Sequence, residues 1–76
     1  MLKKIGLLVA VELKALKRKY GEPYKTDSYV GYEVLRYRMD GWECYAVHTG
    51  AGEIAAAAGT QLLISVYHVD MILNFG

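Results

Sequence analysis

A single cysteine allows neither an internal disulfide nor a cysteine-rich zinc site, and Cys44 is the only one in 76 residues. The chain therefore reads as a protein of a reducing compartment, with Cys44 as a buried structural thiol. No apolar run approaches the roughly 20 residues that span a bilayer. The opening Met1-Leu2-Lys3-Lys4 and the run Ile5 to Val11 have the order of a signal peptide, but Glu12 and the basic stretch Lys14 to Lys19 stand where a small-residue cleavage site belongs. The expectation is a soluble, cytoplasmic protein with no membrane partner. No Lys or Arg follows Arg38, and Asp40, Glu43, Glu53 and Asp70 are the only later charges. The basic first half is diluted by acids and holds no long basic run, which favours a solvated face over a nucleic-acid surface. His48, read as lying on an apolar strand face near Glu33, and His68, read at a helix end, suit structural roles, so neither metal nor cofactor is expected.

Apolar residues, by contrast, are abundant: 54% of the chain is hydrophobic, with seven tyrosines and one tryptophan, against an ordinary share of about 45–50%. A chain of this length forms one domain, residues 1–76, and buries only about 60% of the surface its unfolded form exposes. Some apolar surface is therefore expected to meet another chain, either as a homo-oligomer or through a complementing chain.

Ile5 to Val11 is a short continuous apolar run bounded by charge, which suits a strand buried on both faces. From Glu12 to Tyr20, Leu13, Leu16 and Tyr20 recur at helical spacing opposite Lys14, Lys17 and Arg18, with Gly21 and Pro23 as a stop. Residues 22–28 read as loop. Tyr29 to Met39 then alternates toward Asp40-Gly41, a two-residue hairpin signal that pairs Met39 with Trp42 and Arg38 with Glu43. This register puts Leu35, Tyr37 and Met39 on one face with Trp42, Cys44 and Ala46. Glu53 to about His68 is an Ala- and Leu-rich helix with Ala55, Ala58, Leu62 and Val66 on one face and apolar nearly all round, which is expected to be covered on more than one side, and Asp70 to Gly76 reads as a buried strand. The fold class is α/β, a small mixed sheet in the order β-α-β-β-α-β with a parallel crossover. No repeat or low-complexity segment interrupts it.

Two segments carry a family resemblance. Lys4-Ile5-Gly6-Leu7-Leu8-Val9-Ala10 with Glu12 behind it, and Thr49-Gly50-Ala51-Gly52 with an Ala-rich helix running to Asp70-Met71-Ile72-Leu73-Asn74-Phe75-Gly76, resemble the opening of the nucleoside phosphorylases and, more closely, the methylthioadenosine/S-adenosylhomocysteine nucleosidases. The match covers nearly the whole chain but only the amino-terminal third of a family member. It implies the amino-terminal part of a phosphorylase/nucleosidase-like fold and an enzyme that cleaves the N-glycosidic bond of a purine nucleoside.

The resemblance brings Glu12 near the acid that positions and activates the attacking water, although the family's two or three consecutive acids are here a single one, which also suits a plain helix-start acid. It makes Thr49, Gly50, Ala51 and Gly52 the loop lying against the ribose, with a tight structural turn as the alternative. Glu53 at the helix start competes with an anion for the same N–H donors, which favours a ribosyl or vacant loop over a phosphate site. The purine-binding loop, the ribose-binding acid and the aspartate that protonates the base lie in later segments of the family. The chain is accordingly expected to be inactive alone, either as a piece awaiting completion or as a noncatalytic remnant forming a small oligomeric α/β module.

Overall fold

Both central residues of the Asp40-Gly41 turn take positive φ, 45° and 84°, the twist that matches a two-residue hairpin. The turn joins β3 (Tyr32–Met39) to β4 (Trp42–His48) in the expected register, with Met39 opposite Trp42 and Arg38 opposite Glu43. The computed structural model describes residues 3–29, 32–49 and 53–75, with backbone alone for 53–56. Around the hairpin stand β1 (Lys3–Val9), α1 (Leu13–Tyr20), β2 (Lys25–Tyr29), α2 (Glu53–Ser65) and β5 (Met71–Phe75). The five strands form one mixed sheet in the order β2-β3-β4-β1-β5, in which β1 runs parallel to both β4 and β5 while β2, β3 and β4 alternate in direction.

The helices lie on opposite faces. On one, Leu16 of α1 is fully buried against Leu7, Val9, Leu35, Tyr37, Cys44 and Ala46; on the other, Leu63 of α2 is fully buried against Leu8, Val34, Tyr45 and Val47. Each such leucine contributes roughly 1.5–3 kcal/mol by leaving water. Continuous apolarity in β1 follows, because a parallel strand in mid-sheet is covered on both sides. The α/β class and the mixed sheet agree with the sequence expectation. Among the described residues no helix is long and apolar enough to cross a membrane.

Several local expectations need correction. The segment expected as loop contains β2, which adds a strand and makes the order β-α-β-β-β-α-β. Its sequence, Lys25-Thr-Asp-Ser-Tyr29, has no apolar alternation because it is an exposed edge strand held by backbone pairing to β3. On α2 the stripe of Ala58, Leu62 and Val66 reaches the core only through Leu62, which packs against the cluster around Leu63, and the deepest contacts lie one residue on. Gly59 and Leu63 are buried there, Ala58 is exposed and Val66 is 42% exposed; the side chain of Ala55 lies outside the described residues. The helix is apolar nearly all round, so periodicity does not mark its inner face; glycine does. A Cβ on Gly59 would stand 2.7 Å from the Thr49 methyl and one on Gly6 2.7 Å from Leu63 Cδ1, so the two glycines permit the close approach of α2 to the sheet.

Helix α2 also ends at Ser65 rather than near His68, which takes φ 54°, while the Val69 N–H bonds the Leu63 carbonyl at 3.3 Å. His48 follows Cys44 and Ala46 on the expected face of β4, but at the strand's end it is exposed. The strand expected to be buried at the carboxyl-terminal side is β5, and Met71 and Leu73 are 47% and 48% exposed on it.

One buried carboxylate organises the antiparallel half. Glu43 is 4% exposed and accepts hydrogen bonds from the Tyr24 hydroxyl, from Arg36 Nη2 at 3.1 Å and from Arg38 Nε at 3.0 Å. Arg36 also lies 3.6 Å from Asp27 Oδ2, which accepts the Tyr67 hydroxyl at 2.7 Å. The network thereby ties β2, β3, β4 and the end of α2 together and neutralises the hairpin arginines. Burial by itself would raise the Glu43 pKa, but the hydrogen bonds from Tyr24, Arg38 and Arg36 outweigh it and hold the carboxyl below its ordinary value.

Two outcomes are expected. Gly59→Val should lower unfolding stability by about 1–3 kcal/mol in urea titration, because the new methyls meet Thr49 and Leu8; an unchanged midpoint would show that α2 is not seated on the sheet at this position. The depressed folded pKa of Glu43 means that its stabilising effect is fully present above the ordinary value of 4.5 and is lost as pH falls through the lower folded value. Glu43→Gln should lower the urea midpoint at pH 7 and flatten its decline on acidification, and identical pH profiles for the two proteins would refute the assignment.

Candidate active-site rim

Parallel pairing of β1 with β4 and β5 brings three strand ends together, with Val9 opposite His48 on one side and Phe75 on the other. The ladder continues just past the strands. Thr49 N–H donates to the Val9 carbonyl at 3.0 Å and Ala10 N–H to the Phe75 carbonyl at 3.0 Å. Two of the three ends then lead into helices: β1 passes through Ala10, Val11 and Glu12 into α1, and β4 passes through Thr49 toward α2.

Because α1 packs on one face of the sheet and α2 on the other, the chain diverges at the carboxyl ends of the adjacent parallel strands β1 and β4. Open α/β sheets hold ligands at such a divergence. It also points two helix amino-termini, with their unpaired N–H groups and positive dipole ends, toward the same rim.

Of the residues singled out in the sequence, Glu12 and Thr49 both fall on this rim. Glu12 caps α1 in an extended conformation, φ −61° and ψ 143°; its carbonyl accepts the Ala15 N–H at 3.0 Å, and its exposed carboxylate makes no capping hydrogen bond. A solvated carboxylate beside a strand end is placed to meet a ligand or a water there. Thr49 is buried, its methyl toward Gly59 of α2. Gly50, Ala51 and Gly52 lie outside the described residues, between the end of β4 and the start of α2.

His48 also reaches this rim, directly before Thr49 and exposed. The other titratable clusters stand elsewhere. Glu43 pairs in register with Lys4 near the start of β1, so its network belongs to the opposite end of the sheet. Cys44 is fully buried, and burial followed by the Glu43 charge pushes its thiol up to about 11, which keeps it protonated and inert. Among the described residues no group of three or more His, Cys, Asp and Glu is placed to hold a metal ion.

No family model matches the chain. A 5'-methylthioadenosine/S-adenosylhomocysteine nucleosidase of Colwellia psychrerythraea is 33% identical over 75 residues, covering 96% of this chain and 30% of the relative. The crystal structure of such a nucleosidase from Colwellia psychrerythraea, solved in complex with adenine, aligns with a TM-score of 0.80 at 32% identity, over 97% of this chain and 31% of that one. Futalosine hydrolase of Helicobacter pylori aligns over 100% of this chain and 34% of its own with a TM-score of 0.88, a likeness of fold alone at 19% identity. The chain thus spans about 30% of the length of the curated relatives it matches. Over nearly its whole length the chain is similar, in sequence and in fold, to the amino-terminal portion of the methylthioadenosine/S-adenosylhomocysteine nucleosidases, within the nucleoside phosphorylase superfamily.

Proposed function

We propose that this chain is the amino-terminal part of a cytoplasmic purine nucleosidase, and that it provides the ribosyl side of a site which cleaves the N-glycosidic bond. The observation that carries the proposal is the divergence of α1 and α2 at the carboxyl ends of β1 and β4, where Glu12 and Thr49 share one rim. Glu12 is the group assigned to orient and deprotonate the attacking water, a task that requires a carboxylate within hydrogen-bond reach of that water. The backbone of Thr49, Gly50, Ala51 and Gly52 is assigned to the ribose, because glycines let main chain approach a ligand closely.

The leaving purine needs a proton donor and an orienting pocket, each worth orders of magnitude in rate. The described rim supplies neither. The chain is therefore assigned as one part of a larger assembly, completed by a complementing chain or by oligomerisation, rather than as an enzyme by itself. The exposed apolar side chains of Ile64, Val66, Met71 and Leu73 favour an assembly. Nucleic acid is not among the assigned partners, since Arg36 and Arg38 are engaged by Glu43.

The test is a chimera in which this chain replaces the matched third of the Colwellia psychrerythraea nucleosidase, assayed for adenine release from methylthioadenosine. The chimera should turn over, the 76-residue chain alone should not, and Glu12→Gln in the chimera should lower kcat/KM by about 10²–10⁴ with an unchanged melting temperature. A fully active Glu12→Gln chimera would remove Glu12 from the chemistry, and turnover by the chain alone would remove the need for completion.

A further inference from the structure

Strand β2 is held to the sheet differently from its neighbours. Each of the other four strands places residues in or against one of the two apolar cores, whereas among the described residues β2 places none. It stands at the edge of the sheet, pairs with β3 alone, and leaves every residue but Asp27 exposed. Its aromatic contact is Tyr29, set edge-on to Tyr67 at 5.8 Å.

The segment around β2 lies between two fixed points. On one side Gly21, at φ 83°, accepts the Tyr37 hydroxyl on its carbonyl at 2.9 Å; on the other Tyr32 packs against the cluster around Leu63. Polar contacts tie down what lies between them. The Tyr24 N–H donates to the Arg36 carbonyl at 3.0 Å and its hydroxyl to Glu43, while Asp27 Oδ2 accepts the Tyr67 hydroxyl at 2.7 Å. The β2–β3 register also sets Lys25 directly opposite Arg36, and like charges so placed repel. Asp27 offsets that repulsion, because Oδ1 lies 3.7 Å from Lys25 Nζ and Oδ2 lies 3.6 Å from Arg36 Nη1. Glu43 is already engaged by Tyr24, Arg36 and Arg38, and Lys4, beside it in register on β1, donates to the Tyr67 carbonyl at 3.2 Å.

We infer that residues 22–29 form a strap that opens from β3 as a unit while the rest of the sheet stays folded, and that the charge of Asp27 is its latch. Apolar burial, which locks β1, β3 and β4 into one cooperative body, does not reach the strap, so its opening leaves both cores in place. With the charge of Asp27 removed, Lys25 and Arg36 face one another unscreened, and the same backbone ladder becomes easier to open. The rim formed by the ends of β1 and β4 is untouched by the motion, since Gly21 and Tyr32 hold the strap's two ends to the body.

Amide hydrogen exchange on the 76-residue chain in low urea tests this. The Tyr24 amide and the β2 amides bonded to β3 should exchange about tenfold or more faster than those of Ala10 and Thr49, which bond Phe75 and Val9 across the central strands. They should also ignore concentrations of urea that speed the core amides, because a local opening exposes little surface. Asp27→Asn keeps an acceptor for the Tyr67 hydroxyl and removes the charge; it should speed exchange in the strap by about a further tenfold and leave Ala10 and Thr49 unchanged. Adding Lys25→Ala to that variant should recover most of the loss. One common rate for strap and core, or an Asp27→Asn effect shared equally by both, would make β2 part of the cooperative body and overturn the inference. A strap that Asp27→Asn leaves unmoved, or a loosening that Lys25→Ala does not relieve, would equally overturn it, since the charge of Asp27 would then not be what holds the strap.

Discussion

The architecture depends on β1 being paired in parallel on both sides. That single arrangement requires residues 5–9 to be apolar on both faces, and it requires a helix on each face to cover them. It also aligns the carboxyl ends of β1, β4 and β5 within one hydrogen-bonded ladder, since Val9 pairs with both His48 and Phe75. A slip of one residue between β1 and β4 would turn Leu7 and Val9 toward α2 and Leu8 toward α1, so core packing and rim geometry are fixed by the same register.

The molecule divides its polar chemistry between two ends of the sheet. Near the start of β1, Glu43 is engaged by Tyr24, Arg36 and Arg38, and Arg36 carries the network along the sheet to Asp27, which accepts from Tyr67. Such a closed network rigidifies the hairpin and offers little to a ligand. At the other end Glu12 keeps its carboxylate in solvent directly before α1. The closed network thus stands apart from the rim to which the proposed function assigns the ligand. The divergence of α1 and α2 connects them, because the glycine contacts that seat α2 also pack Thr49 against it.

Much of this was legible in the sequence, and the parts that were not have specific causes. The Asp40-Gly41 turn gave the hairpin register to the residue, and with it the Arg38–Glu43 pair, because turn chemistry leaves few alternatives. The two motifs placed Glu12 and Thr49 at strand ends, and parallel pairing brought those ends together. Strand β2 was illegible because its five residues are polar on both sides and are held by a neighbour's backbone and by partners distant in sequence, such as Tyr67 for Asp27. The inner face of α2 is not marked by the apolar pattern, because its closest contact is made through the absence of a side chain at Gly59. His68 ended the helix through a left-handed backbone that its residue type does not announce. The exposure of Met71 and Leu73 agrees with the apolar surplus expected to meet another chain, although Met71-Ile72-Leu73 by itself has the composition of a buried strand.

The central claim is that ligand-facing chemistry sits at the divergent rim and not at the Glu43 network. Amide chemical-shift mapping on the isotope-labelled 76-residue chain within the complemented assembly, titrated with methylthioadenosine, tests it most directly. The account predicts shifts concentrated at Val11, Glu12, Thr49 and Gly50, with Arg38, Glu43 and Tyr24 unmoved. Shifts centred on the Glu43 network, or a titration that leaves the rim silent while the ligand binds, would contradict it.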